Sequence, residues 1–293
     1  MKKTNYVHVI VLAAVLIVIV FVFFFNGTGR PGDTSGDTAP VIATLLPYTA
    51  EWRLPTPEEV SAVGTVEGIA AYDYRTFSTA LFDEELVRYW NPDWLGMDNL
   101  SYRFLQPDRG LEAFSLTGVG NLDLFDVQTG QIRLVEGTGL GEGPANGVVV
   151  SKQFAQANDL GLGSYLEVRQ IFNTRFAELA AIETEDYYHQ FVIAGIFELN
   201  EPDHETDLEQ LAHEITQADV LNRIYGSMAL VQAINEIERD WIHEHISPEF
   251  ETLHLNNSIW IATFLLAPGA DGDEVLARAS SLAPEGMRLE LIE

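Results

Sequence analysis

The stretch Val7 to Phe25, VHVIVLAAVLIVIVFVFFF, constrains this chain more than any other. His8 is its one polar side chain, and it holds no Asp, Glu, Lys or Arg. A helix over 7–25 at ~1.5 Å per residue spans roughly 28 Å, the thickness of a hydrocarbon core. Inside lipid the backbone groups have to pair within their own segment, so the run is predicted to be a transmembrane helix despite its β-branched residues. Lys2 and Lys3 precede it, and no lysine follows until Lys152. This asymmetry puts residues 1–27 at a cytoplasmic N-terminus and in the membrane, with the bulk of the chain outside the cell membrane. The competing reading is a cleaved signal peptide. Such a peptide has a shorter apolar core ending at small residues, whereas this run leads into Phe23-Phe24-Phe25-Asn26-Gly27-Thr28, a poor cleavage site. The expectation is an uncleaved, single-pass anchor in contact with the bilayer through residues 7–25.

Composition excludes several chemistries. With no cysteine among 293 residues, there is no disulfide, no thiolate-bound zinc, no thiol nucleophile and no lipidated cysteine. A net charge of −28 leaves nothing to neutralise a run of phosphates, so nucleic acid is not an expected partner. The acids are spread along the sequence rather than set at metal-loop spacing, which suits a hydrated, soluble surface. A cationic ligand is the sharper alternative.

Beyond the membrane run, 26–39 (NGTGRPGDTSGDTA) has no apolar periodicity and reads as a flexible tether, taken as 28–55 up to the folded part. Thr56-Pro57-Glu58-Glu59 then predicts a capped helix start. Thr65 to Tyr72 alternates as a strand. Phe77 to Trp90 has helical spacing at Leu81, Glu84, Glu85 and Arg88, and Asn91-Pro92 stops it. Leu100 to Leu105 and Phe114 to Gly120 read as strands. The loop Gly137 to Pro144 is glycine-rich, but it fits neither phosphate-binding pattern and reads as a turn. Gly147 to Ser151 is a compact buried strand, and Ser151 is placed to cap a helix over Lys152 to Asn158 with Phe154 and Ala155 inward. Asp159 to Gly163 turns the chain into a strand at Tyr165 to Arg169, partnered by Phe191 to Leu199.

The runs Gln128-Thr129-Gly130 and Leu134-Val135-Glu136-Gly137, then Gly147 to Val168, then Phe191 to Glu198, resemble the extracytoplasmic core domain of MacB/FtsX-type ABC transporter permeases. The matching positions are Glu136, Gly137, Val149, Ser151, Ala155, Asn158, Leu160, Gly163, Gly195 and Ile196. Ser164 departs from the Asp usual in the family. The resemblance is clearest from Asp126 to Leu199, and the residues that carry it are structural rather than catalytic.

Glu201 to Glu251 departs from that pattern. Leu208, Leu211, Ile215, Ala218 and Leu221 stripe one predicted helix. Leu230, Ile234, Ile237, Trp241 and Ile242 stripe a second, with a break allowed at Gly226. This predicts an acidic helical hairpin, packed on its own domain or acting as an arm toward a partner. Ser258 to Leu266 reads as a strand, Asp271 to Leu282 as a helix with Val275, Leu276 and Ala279 on one face, and Met287 to Leu291 as a closing strand.

Candidate chemistry is thin. His243 and His245 are two apart and point about 200° apart on a helix, so they cannot share a metal there. His189, His204, His213 and His254 are scattered. There is no nucleophile elbow, and Asp271-Gly272-Asp273-Glu274 suits a helix start better than a calcium loop. The reading therefore assigns no catalytic, cofactor-binding or metal-binding residue, no cofactor, and no enzyme activity.

The expected fold is α+β: one N-terminal transmembrane helix and a two-lobed extracytoplasmic region. One lobe is a split β-α-β lobe from 56–110 and 258–293. The other, 111–257, is an inserted β-rich lobe carrying the helical insertion 201–251. The resemblance implies a non-catalytic part of an ABC transporter permease, working with a separate ATPase subunit and a permease partner chain and engaging substrate or partner outside the membrane. No run of spanning length follows Phe25, so this sequence is not expected to form the usual four-helix permease by itself. The alternative is a stand-alone, membrane-anchored extracellular binding protein that uses its acidic surface.

Overall fold

The computed structural model describes residues 41–45, 55–79, 81–83, 113–170, 187–200, 220–245, 261–284 and 288–292. The membrane run 7–25, the strand expected at 100–105 and the parts 201–219 and 246–251 of the insertion lie outside the described residues. Among the described residues, no helix is long and apolar enough to cross a membrane.

The described chain is α+β, built on one mixed sheet. Its strands are β1 (Val41–Leu45), β2 (Ile69–Phe77), β3 (Leu81–Phe82), β4 (Ala113–Phe114), β5 (Leu116–Val119), β6 (Ile132–Gly137), β7 (Gly147–Ser151), β8 (Tyr165–Gln170), β9 (Tyr187–Leu199), β10 (Ile224–Ser227), β11 (Ile261–Leu266) and β12 (Arg288–Ile292). The helices are α1 (Pro57–Gly64), α2 (Phe125–Gln128), α3 (Lys152–Ala157), α4 (Met228–His245) and α5 (Gly272–Leu282). The sheet order is β12-β1-β11-β2-β5-β10-β7-β9-β8-β3-β4, with β6 on β9. Most neighbours are antiparallel; β5 with β10 and β7 with β9 are the parallel pairs among the described strands. β9 is the long spine. Its first half pairs with β8, its second half pairs with β6 along the same edge, and β7 runs along the other.

Several local rules hold. Thr56 and Glu59 form a reciprocal capping box: the Glu59 amide donates to Thr56 Oγ1 at 3.3 Å and the Thr56 amide to the Glu59 carboxylate at 2.9 Å, with Pro57 in the first turn. Asp271 caps α5 through the Glu274 amide at 3.1 Å, and Val275 and Ala279 are its buried residues. β7 is buried throughout rather than alternating, with a Val148-Val149-Val150 run, because both its faces are covered. Val148 and Val150 join Phe154, Ala155, Val231 and Ile234 under α3 and α4, while Val149 faces Phe197, Tyr225 and Leu140 on the opposite side. A third core, with Val60, Val63, Phe264 and Val275, lies between α1, α5 and the sheet.

Ser151 ends β7 and begins α3. Its hydroxyl accepts from the Phe154 amide at 3.0 Å and donates to the Leu221 carbonyl at 2.6 Å, fully buried. Ser151→Ala strands both partners in the interior and is expected to lower unfolding stability by about 1–3 kcal/mol, measured by urea denaturation against wild type.

Four expectations are corrected. Val41–Leu45, placed in the tether, is a strand between β11 and β12. The run Val-Ile-Ala-Thr-Leu has strand propensity but is too short to show a period. The strand read from Thr65 starts at Ile69, because 65–68 turn off the end of α1. The helix read from Phe77 is not present at its start: Phe77 ends β2 and Leu81–Phe82 pair with Arg169, Gln170, Ala113 and Phe114. There, long-range pairing overrides local spacing. Finally, the break at Gly226 is not a helical turn. Ile224–Ser227 is strand β10, between β5 and β7, followed directly by α4. A four-residue strand with its first three residues buried carries no periodic signal.

Candidate functional site: a buried charge cluster at the seam of the sheet

The imidazoles singled out in the sequence do not converge. His243 and His245 both lie on α4, and the His245 ring stacks on Trp241, with centroids 5.0 Å apart and Nδ1 2.9 Å from the Trp241 carbonyl oxygen. His189 sits on β9, while His204, His213 and His254 lie outside the described residues. Among the described residues, no group of three or more His, Asp or Glu is placed to hold a metal. The glycine-rich loop links β6 to β7 and is pinned by the buried Leu140.

The chemistry that does converge lies elsewhere. Side chains two apart on a strand share a face, so Asp73 and Arg75 both leave β2 on the side away from Thr76. Asp73 is fully buried and accepts from the backbone amides of Gly120 (3.1 Å) and Asn121 (2.9 Å) and from Arg75 Nε (3.3 Å). Arg75 reaches on to Asp126 in α2. Asp126 also accepts from the Tyr225 hydroxyl on β10, and Arg223 Nη1 lies 3.4 Å from its second oxygen. Arg223 lies over the Tyr225 ring, 5.8 Å from its centroid. Two carboxylates, two guanidiniums and a phenol thus join β2, the turn after β5, α2 and β10.

Isolated buried charges are very costly, and pairing offsets that cost. Burial alone would push the Asp126 carboxyl up. The guanidiniums of Arg75 and Arg223 and the Tyr225 hydroxyl outweigh it and hold the group below the ordinary carboxylate range. Burial dominates at Asp73, which has Arg75 as its guanidinium partner and Asp126 as a like charge, so its carboxyl is raised. Burial would weaken the Arg75 charge, but Asp126 and Asp73 together strengthen it. Burial, reinforced by Asp126, raises the Tyr225 phenol and keeps it a donor. With its charges balanced and its donors already engaged, the cluster is arranged to hold elements together.

A second polar network lies on the α4 side. Gln170 Nε2 donates to Thr79 Oγ1 (2.9 Å) and to the Ile234 carbonyl (3.0 Å), so its Oε1 is the acceptor facing His189 Nε2 at 2.8 Å. Asn235 accepts from the Thr79 amide (2.8 Å) and donates to the Phe77 carbonyl (3.1 Å). Burial lowers the His189 pKa, so the folded state favours the neutral ring. A depressed basic group gives stability that is complete above its unfolded value, about 6.5, and is lost as pH falls below that. The thermal midpoint is therefore expected to drop between about pH 7.5 and about pH 5.5, and to drop less in His189→Asn.

The sequence reading missed Asp73, Arg75, Asp126, Arg223 and Tyr225. A signal was available in Asp73-Tyr74-Arg75, opposite charges two apart within a strand. It is sharpened by the scarcity of Lys and Arg, 16 against 44 acids.

No protein-family model matches the sequence, and no curated protein matches it either. Among solved structures the chain is similar to the periplasmic region of MacB from Actinobacillus actinomycetemcomitans, at 12% identity and a TM-score of 0.44, covering 91% of each chain. It is similar to the extracellular domain of the noncanonic ABC-type transporter YknZ from Gram-positive bacteria, at 10% identity and a TM-score of 0.44, covering 85% of this chain and 99% of that one. A domain of a putative permease protein from Porphyromonas gingivalis is similar at 14% identity and a TM-score of 0.40, covering 87% of this chain and 89% of that one.

Proposed function

We propose that this chain is an extracytoplasmic, non-catalytic part of an ABC transporter permease, anchored through residues 7–25 and coupled to a separate ATPase subunit. In this reading it has two lobes, one from 56–110 with 258–293 and the other from 111–257, and it acts outside the membrane on substrate or on a partner protein. The observation that carries the reading is where the ten family-like positions fall. All lie in the continuous unit from β6 to β9, and most have a visible mechanical role. Ser151 and Asn158 cap the two ends of α3. Val149, Ala155 and Ile196 are core, and Leu160 packs against it. Gly137 lies against Gly195 across the β6–β9 ladder. Gly163 takes the left-handed turn into β8. A motif that builds a shape, and brings no reactive group together, suits a domain that transmits motion or binds.

The test is purification of the tagged full chain from its native membranes in mild detergent. A nucleotide-binding subunit that co-purifies in fixed ratio and hydrolyses ATP is the expected result; recovery of the chain alone, without ATPase activity, overturns the reading and leaves the stand-alone binding protein. Because the chain has no cysteine, its topology can be read from single introduced thiols. Tyr165→Cys, at a position 63% exposed, is expected to react with a membrane-impermeant maleimide in intact cells. Reaction only after lysis would contradict an external domain.

A further inference from the structure

Among the described strands, β12, β1, β11 and β2 join the rest of the sheet through one seam, β2 against β5. Its register pairs run from Arg75–Val119 to Phe77–Thr117, and one backbone bond extends it at each end, from the Gly120 amide to the Tyr74 carbonyl (2.9 Å) and from the Ser78 amide to the Leu116 carbonyl (3.0 Å). A ladder so short, left to itself, is marginal in water. Here it is fastened on both faces. On one face Asp73 holds the amides of Gly120 and Asn121, and Arg75 bridges to Asp126, which in turn holds Tyr225 on β10. On the other face α4 lies across both β5 and β2, and Asn235 clamps the backbone of Phe77 and Thr79. The helix sits directly on the seam: a Cβ on Gly118 would come within 2.9 Å of Val231 and 3.0 Å of Thr76. At the strand end, Ser78 Oγ accepts the Leu116 amide at 2.8 Å.

The geometry points to a lock: the Asp73–Arg75–Asp126–Tyr225 charge cluster, with Arg223 beside it, makes the two parts of the sheet a single rigid body. Bending the seam would separate buried charges in a medium that cannot solvate them, which is far costlier than parting the short ladder alone. Movement delivered at β1 is then carried undiminished to the β8–β9 end. The relevance of that movement to transport rests on the function proposed above; the rigidity itself does not.

Spin labels at Leu282→Cys on α5 and Tyr165→Cys on β8, positions 52% and 63% exposed, report the distance across the seam in the full chain held in lipid nanodiscs. The wild-type background is expected to give one narrow distance distribution. Arg75→Met is expected to broaden it severalfold while the far-ultraviolet dichroism spectrum is retained. Tyr225→Phe, which keeps the ring and removes one donor to Asp126, guards against loss of the fold and is expected to broaden it less. A broad distribution in the wild-type background overturns the lock, as does a narrow one that neither variant changes. Both outcomes are independent of whether an ATPase subunit is found.

Discussion

Asp126→Ala is expected to lower unfolding stability by about 3–5 kcal/mol, the range for removing one partner of a buried ion pair. Asp126 accepts from Arg75 and Tyr225 and faces Arg223. The loss comes mainly from what remains: two guanidiniums buried near each other with no carboxylate between them. Arg75→Ala should cost a similar amount, leaving Asp73 and Asp126 as facing like charges. The double variant should cost clearly less than the sum, because the two residues share one interaction. Urea unfolding followed by tryptophan fluorescence measures all three. Strict additivity would show that the two groups act independently, against the contacts seen. The acid limb has a sign that can be checked. Asp126 is held below its ordinary value, so the stability it gives is complete above the ordinary carboxylate range and is lost as pH falls through the folded value. Asp73 is raised and works the other way, costing stability once it ionises. In Asp73→Asn the loss of stability on acidification should therefore be steeper than in wild type.

The second large effect is expected at Gly137. Its φ is +82°, and a Cβ there would lie 2.3 Å from the Ala194 carbonyl oxygen, 2.8 Å from Leu162 Cδ2 and 2.9 Å from the Gly195 Cα. The left-handed conformation costs a non-glycine residue roughly 1–2 kcal/mol, and forcing packed groups apart typically costs a further ~1–3 kcal/mol. Gly137→Val is thus expected to lose between about 2 and 5 kcal/mol. Gly130, with a similar φ of +76° but open space where a Cβ would go, supplies the control: Gly130→Ala should show the backbone part alone. Equal losses at the two sites would refute the close approach of β6 to β9.

The parts of this fold that were legible in the sequence are those with local causes. Thr56, Ser151 and Asp271 cap their helices because a short oxygen side chain before a helix satisfies its first free amides. The Ser151-to-Gly163 turn and the pairing of β8 with β9 follow from equally local patterns. Strands β1, β3 and β10 were missed because each is short and, unlike the equally short β7 with its Val148-Val149-Val150 run, takes its state from distant neighbours. Apart from the local Asp73-Tyr74-Arg75 pattern, the charge cluster was hidden for the same reason. Arg75 and Asp126 are 51 residues apart and Asp126 and Tyr225 are 99 apart, and in so acidic a chain no single aspartate stands out. Asn235 and Glu238 make the point from the other side: both are buried polar residues on α4, on a face that the apolar stripe alone would assign to Leu, Ile and Trp.

The position of β1 has a mechanical consequence. It lies between β11 and β12, antiparallel to both, with Val41 opposite Leu265 on one side and Ile292 on the other. Antiparallel ladder bonds run across the strands, so a pull along β1 from its N-terminal side loads the rungs on both flanks together, in shear, rather than peeling them one by one. A chain hauled from that end would resist as a riveted plate does, and would yield only when both rows of rungs gave way at once.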